Sequence, residues 1–543
     1  MNIRLPAIAA CLALAGCEKT ESPPPATQSG DDRTRVEVIA TGSRIAGANG
    51  VHFGPDGNLY VASVVGSDIT VIDPESGDEL KRYTARDGIT GPDDLAFSKS
   101  GTMYWTSILT GEVAGLTPDG NKIVAAQLEP GPNPITFSPD DRLFVSQCFL
   151  GDKLYELDPV GARSPRLISD SLGPGCGLNG MDWGPDDRLY GPRWFTGEVV
   201  SFNVDDKTMR VEATGLETPA SVKFDKQGHL HVLDTGTGDV IRIDGTNKTV
   251  VAHLEKGLDN FDFDDKGRIF VSSFADGFVK RVDTDGSMTT LQPAGMSHAG
   301  GIAISGDTAI VADLHAIRGY NIKSGEETFV QRAIVGVSEM GGALNVAQDG
   351  ENLILTSWFD GDVRVWDPVR HKRIARYEAA LPVSAVRYHG EVVVAEHGKH
   401  RVVGLRENGE EIVYASDLPA PTGLVVEQGD LYLSDRQRGQ ILMIASDGKP
   451  LPEPYVVADN LTTPEGFVVT PNGFVVVEAD TGHVVEVDSA GNRTLLAEIP
   501  PGTQAASPAQ PPSQVFQGIA SAGGALYVTG ETNHSLYRIT PAH

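Results

Sequence analysis

At 543 residues, with 40% hydrophobic and 7% aromatic side chains, the chain is too long for one ordinary domain and comfortable for two. Its formal net charge of −29, from 73 acidic against 44 basic residues, repels phosphate backbones and anionic headgroups, which disfavours nucleic-acid binding. Cations would instead gather at any mouth lined by carboxylates, and the 62 glycines and 34 prolines belong to a chain that turns often.

Residues 1–17 read MNIRLPAIAACLALAGC. Arg4 gives a short positive region, and Leu5 to Ala15 form an apolar stretch too short to span a bilayer. Leu14-Ala15-Gly16-Cys17 resembles the lipobox of bacterial lipoproteins, which implies that the signal peptide is removed and Cys17 is acylated. Glu18 fits an outer-membrane destination, so the expected location is the cell envelope, facing the periplasm or the cell surface. Residues 18–34 contain Ser22-Pro23-Pro24-Pro25 and read as a flexible tether. No later segment reaches transmembrane length, so membrane contact is expected through the lipid anchor only.

From Arg35 onward one pattern recurs: a short apolar strand, a Pro-Asp-Gly-like turn and a second strand. Examples are LAFSKSGTMYWTS from Leu95, ITFSPDDRLFVSQ from Ile135, MDWGPDDRLYGPR from Met181 and VKFDKQGHLHVLD from Val222. The last apolar residue of each first strand serves as an anchor. The anchors are Phe53, Phe97, Phe137, Trp183, Phe224 and Phe263, then Ile304, Val346, Tyr388, Val426, Val469 and Ser521. A third strand such as EVVSFNVD and a more variable fourth complete each unit, and four strands in roughly forty residues is the period of a propeller blade. One ring of twelve leaves a wide channel, whereas six blades close tightly. The expected fold is therefore all-β, with two six-bladed propellers in tandem over 35–286 and 287–543. Arg35 to Ala40 is expected to close blade six and Met288 to Gln292 blade twelve.

Innermost strands line the channel of a propeller, so the residue four before each anchor lies at its mouth. In the first ring these are Asn49, Asp93, Asn133, Asn179, Ala220 and Asp259. In the second they are Gly300, Gly342, Ser384, Thr422, Glu465 and Gln517. Turn capping should favour Asn and Asp equally in both rings. Their concentration in the first points instead to a hard-oxygen cage of the kind that suits calcium or a similar divalent ion. Second strands return to the same mouth with Ser107, Gln147, Arg193, Asp234 and Ser273. Arg193 has the planar fork to hold a carboxylate or an oxyanion, and equally to pair with a neighbouring acid. Trp194, Phe149 and Phe274 could form an apolar wall. Cys148 and Cys176 flank the mouth, and an oxidising compartment favours their pairing over two free thiols. No CxxC, GxSxG, HExxH or P-loop is present, and His298, His315 and His397 near the second mouth lack matching carboxylates.

LNGMDW from Leu178, followed by GPDDRLY, resembles the asparagine-bearing strand of the senescence marker protein/gluconolactonase (regucalcin) family. The wider superfamily includes paraoxonase-like and strictosidine synthase-like propellers. GPDDLAF places Asp93 where that family has a metal-binding acid, Asn179 falls on its metal-binding asparagine, and Asn133 matches a further channel asparagine. The family's remaining aspartate lies one blade after its asparagine; here that blade has Ala220, and Asp259 comes a blade later. The second ring resembles only generic NHL-like repeats. The resemblance implies a metal-dependent hydrolase of a lactone or ester, with Asp93, Asn133 and Asn179, joined by Asp259 from the count of mouth residues, expected to hold calcium or a similar ion. Asp259 or Asp93 would take the proton and Arg193 would orient a small-molecule substrate. The alternatives are a non-enzymatic binding lipoprotein with a structural ion, its second propeller open to a protein partner, and a lyase or synthase on the same fold.

Overall fold

The computed structural model describes residues 34–541 apart from 407, 503–510 and 514. The signal peptide and the Cys17 lipobox lie outside the described residues. The strands form twelve four-stranded antiparallel sheets, the blades of tandem propellers. One blade runs Pro92–Phe97, Met103–Ser107, Glu112–Leu116, Lys122–Gln127, each strand pairing with the next. Met103–Ser107 is buried throughout because neighbouring blades cover both its faces, whereas Lys122–Gln127 at the rim is largely exposed. The turn between the first two strands needs a left-handed residue. Gly101 supplies it at φ 82°, and Asp141 and Asp187 supply it where the turn reads Pro-Asp-Asp, since a short polar side chain tolerates that region.

The described residues divide into two compact units, 43–297 and 298–541 together with 34–42. In the first, the innermost strands Val51–Phe53, Pro92–Phe97, Pro132–Phe137, Asp182–Trp183, Pro219–Phe224 and Leu258–Phe263 each touch the next, and the last touches the first. In the second, Ile302–Ser305, Asn345–Asp349, Pro382–Tyr388, Pro421–Glu427, Pro464–Thr470 and Ile519–Ala522 close in the same way. Each unit is a ring of six blades.

Closure of the rings differs from the expectation. Met288–Gln292 pairs with Val279–Val282 of its own blade, so the first ring is completed from one unbroken stretch. The turn of Asp283 to Ser287 joins these strands directly, and a short loop closes at small entropic cost. Thr34–Ala40 instead pairs with Ser535–Pro541, Val36 opposite Ile539, and completes the last blade of the second ring. Val36 buries against Val484, Tyr537 and Ile539, and Glu37 accepts from Arg538 Nε at 2.9 Å. The division accordingly falls at 297/298 rather than 286/287.

Six aromatic contacts stitch the first ring, one per blade junction. Phe97 meets Tyr60 at 4.9 Å, Phe137 meets Tyr104 at 5.4 Å, and Trp183 stacks on Phe144 at 5.3 Å. Phe224 meets Tyr190 at 4.9 Å, Phe263 meets His231 at 5.0 Å, and Phe53 meets Phe270 at 4.9 Å. The six first-ring anchors read from the repeat are thus the residues that wedge neighbouring blades together.

Candidate functional site

A β-bulge opens several first-ring inner strands. Pairing shifts between Pro92 and Leu95, between Pro132 and Ile135, and between Leu258 and Phe261. Such a bulge releases side chains from the ladder, and here it falls on Asp93, Asn133 and Asp259. Asn179 holds the corresponding place in the fourth blade, its backbone N–H donating to Pro192 as Asn49 donates to Ala62. Asp93, Asn133 and Asn179 are buried, while Asp259 and Asn49 keep part of their surface open.

Asp93 and Asp259 come together. Burial first, then Asp259 and Asp94, raise the Asp93 carboxyl well above its ordinary range. Asp259 is pushed up to about 8 by burial and Asp94, eased by a hydrogen bond from Asn49. Two like charges in a partly dry channel cannot both ionise cheaply without a cation. The side chains of Asp93, Asn133 and Asn179 have no protein hydrogen-bond partner among the described residues. These oxygens therefore fit a hard divalent ion in chemical type, although no group of three or more His, Cys, Asp or Glu residues disposed to hold a metal occurs among the described residues.

One turn deeper lies a charged layer that the sequence reading missed. Asp94 accepts from Ile135 N–H at 3.2 Å, Asp182 from Phe224 N–H at 3.0 Å and Asp262 from Phe53 N–H at 2.9 Å. Each carboxylate thus clamps its inner strand to the next, at alternate junctions of the ring. Asn260 donates to Asp94 at 3.2 Å, and His52 lies 3.4 Å from Asp262. The buried Lys223 is flanked by Asp182, Asp262 and Asp94, and their charges raise its ammonium pKa against the opposing effect of burial. An acid just before an aromatic anchor, as in Asp182-Trp183 and Asp262-Phe263, is the signal that could have revealed this layer.

Arg193 donates through Nη1 to Glu198 at 3.0 Å, and its Nη2 has no protein partner among the described residues. Phe149 meets Trp194 edge-on at 5.3 Å and Phe195 at 6.2 Å. Cys148 and Cys176 form a disulfide beside this wall.

The second mouth corrects two positions. Gly301 N–H donates to Leu344 and Gly466 N–H to Gln517, as Gly50 N–H donates to Asp93, while Thr356 donates to the Val383 carbonyl as Thr106 does to that of Asn133. Leu344 and Val383, not Gly342 and Ser384, therefore face the mouth beside Gly300, Thr422, Glu465 and Gln517. The inner strands there have different lengths, so counting back from the last apolar residue slipped. Leu344, Val383, Trp358, Val515 and Phe516 form an apolar cluster. His298 and His315 are pressed toward neutrality by burial, His315 down to about 4. His397 instead lines an open cavity of about 660 Å³ with His400, Arg436 and Thr463.

No protein-family profile matches the chain. A gluconolactonase from Zymomonas mobilis is 31% identical over 159 residues, covering 24% of this chain. The chain spans 44% of that relative's length. Virginiamycin B lyase from Staphylococcus aureus aligns at 12% identity with a TM-score of 0.37, over 52% of this chain and 96% of the lyase. The extracellular domain of a one-component system from B. thetaiotaomicron aligns over 94% of this chain and 82% of that domain, at 10% identity and a TM-score of 0.32.

Proposed function

We propose that the first ring is a divalent-cation-dependent hydrolase of lactones or related esters, exported and held at the membrane through an acylated Cys17. The observation that carries this reading is the pair Asp93 and Asp259, whose ionisation is opposed by burial and by the repulsion of neighbouring carboxylates, Asp259 and Asp94 for Asp93 and Asp94 for Asp259. A cation at the mouth would offset that repulsion, and Asn133 and Asn179 add neutral oxygens at the same level of the ring. Calcium suits such a set better than softer metals. The partial similarity to a gluconolactonase supports the choice of substrate class.

When bound, the ion would polarise the substrate carbonyl and lower the pKa of a water. Asp259, partly open to the channel, takes the proton as general base, with Asp93 mainly a ligand. Arg193 stays neutralised by Glu198 on one side and turns Nη2 to a substrate carboxylate or oxyanion. Phe149 and Trp194 receive the apolar part of the substrate, and the Cys148–Cys176 bridge fixes that wall.

The test is thermal unfolding with chelator and with added calcium, alongside turnover of a panel of lactones and aryl esters. Calcium should raise the melting temperature, as binding to the folded state alone requires, and should support turnover. Ion-dependent stability without turnover would point to a binding propeller with a structural ion, and elimination products to a lyase. No calcium response in wild type, and none lost in Asp93→Ala, removes the site.

A further inference from the structure

Beside the second-ring mouth lies the cavity of about 660 Å³, lined by His397, His400, Arg436, Gln437 and Thr463 with Pro419, Ala420 and Pro512. Its polar groups are already arranged. Arg436 donates through Nε to Glu465 at 3.2 Å and through Nη2 to Asp480 at 2.5 Å, and Nη1 keeps its two N–H bonds without a protein partner among the described residues. Glu465 is spent as an acceptor, taking Gln517 N–H at 2.9 Å and the Ser513 hydroxyl besides Arg436. Thr463 Oγ1 accepts from Asp480 N–H at 3.0 Å, which leaves its own proton to give. Arg436 and Thr463 thus show the cavity donors, and the fixed acceptors around them are used. The charges of Arg436, Glu465 and Asp480 sum to −1, so an anionic ligand gains little.

Backbone strain points to the same place. The residue before the inner-strand proline is left-handed in several blades. In the first ring Gly91 and Gly131 fill this position at φ 49° and 116°. In the second ring Thr463 and Leu381 fill it at φ 46° and 49°, where a side chain is costly, and most of all a β-branched one. Neither side chain is idle. Leu381 packs on the apolar cluster of Leu344, Trp358, Val383, Val515 and Phe516, and Thr463 lines the cavity. Trp358 lies 5.6 Å from His397 and links cluster to cavity. Strain is thus accepted at the two positions that furnish an apolar wall and a hydroxyl donor at one mouth.

We propose that this cavity is a second ligand site, which takes an uncharged molecule carrying a carbonyl acceptor, of amide or ester type, next to an apolar group. Arg436 Nη1 and the Thr463 hydroxyl hold the carbonyl oxygen, and the Trp358 cluster receives the apolar part. His397 is kept neutral by burial and by the nearby His400 and Arg436, and so adds no charge that would favour an anion.

The probe is N-acetylphenylalanine amide, titrated by calorimetry into the purified protein, with the free carboxylate N-acetylphenylalanine as comparison. The amide should bind saturably and more tightly than the carboxylate. Arg436→Lys and Thr463→Gly should each weaken it about five- to tenfold, the loss of a hydrogen bond to the carbonyl oxygen. Thr463→Gly also relieves the strained backbone, so its melting temperature should stay level or rise while affinity falls, which a merely structural threonine would not do. This second variant reads the site even if Arg436→Lys folds poorly. Absence of saturable binding, preference for the carboxylate, or wild-type affinity in Thr463→Gly would overturn the proposal.

Discussion

The two rings use one repeat and line their channels with opposite chemistry. Just before the anchor, the first ring carries His52, Ala96, Thr136, Asp182, Lys223 and Asp262; the matching second-ring residues are Ala303, Ala347, Val386, Val425, Val468 and Ala520. At the mouth the first ring has Asn or Asp in every blade but that of Ala220, whereas the second has Gly300, Leu344 and Val383 with Thr422, Glu465 and Gln517 as its polar residues. The strands are equally well formed in both, so backbone geometry does not require the charges. A buried carboxylate costs free energy that an alanine does not. The first ring thus keeps buried acids in its inner strands where the second ring has aliphatic side chains, and the proposed site rests on this asymmetry.

The comparison breaks most visibly in turnover. Asp259→Asn should lower lactone hydrolysis by about 10² to 10⁴, the span of a lost general base, whereas Thr422→Val at the second mouth should leave it unchanged. Steady-state rates on the same panel decide; equal losses in both variants would mean that the rings do not divide the work. Next in size is the interior layer. Lys223→Met strips the cation from among Asp94, Asp182 and Asp262, and breaking a buried ionic network costs about 3 kcal/mol or more. The loss should be larger at pH 8 than at pH 5, because carboxylates left alone can take up protons. Urea midpoints at the two pH values measure it. Val468→Met, at the matching place in the second ring, should lack that pH dependence.

Much of this was legible because the repeat is strong. Phe97, Phe137 and Trp183 each end an inner strand and pack on the previous blade, so period and packing coincide. The first-ring mouth followed from the same count. Legibility failed where the last apolar residue is out of register with Phe97: Val346 comes too early and Tyr388 too late relative to Leu344 and Val383, and the count slipped onto Gly342 and Ser384. It failed again for Asp182, Lys223 and Asp262, whose partners lie on other blades. Strand closure was misread because Arg35–Ala40 and Met288–Gln292 look alike as sequence. Only the burial of Val36 on Ile539 tells which blade each completes.

That closure gives a sharper contrast between the rings. A fragment of 43–297 holds every strand of the first ring and should unfold cooperatively by calorimetry. A fragment of 298–541 lacks Thr34–Ala40, exposes the edge of Ser535–Pro541, and loses the burial of Val36, about 2 kcal/mol. Its melting temperature should fall, and appending residues 34–40 after 541 through a two-residue Asn-Gly turn should restore it. Comparable melting temperatures with and without the strand would count against the observed pairing.

The smallest expected effect separates the mouths by pH. Asp259 titrates near 8 in the folded protein and at about 4 when unfolded, so the folded state binds the extra proton. Its contribution is then fully favourable below pH 4 and is lost as pH rises toward 8. With chelator present, first-ring stability should therefore decline across that window. Every unit by which the pair stays elevated is worth about 1.4 kcal/mol at most, since other groups titrate too. Asp259→Asn removes the titrating carboxyl itself and should flatten the decline, leaving the variant more stable than wild type at pH 8.5. Calcium should invert the trend, because it binds the ionised carboxylates and competes with protons for them, so its stabilisation of wild type grows with pH. Glu465 offers the internal comparison: burial raises it too, but Arg436, Ser513 and Gln517 already satisfy it, and calcium should not alter the stability of the second ring. Midpoints of 43–297 at pH 5 and 8.5, with chelator and with calcium, carry the test. An unchanged midpoint in all four conditions would mean that Asp93 and Asp259 do not share a cation.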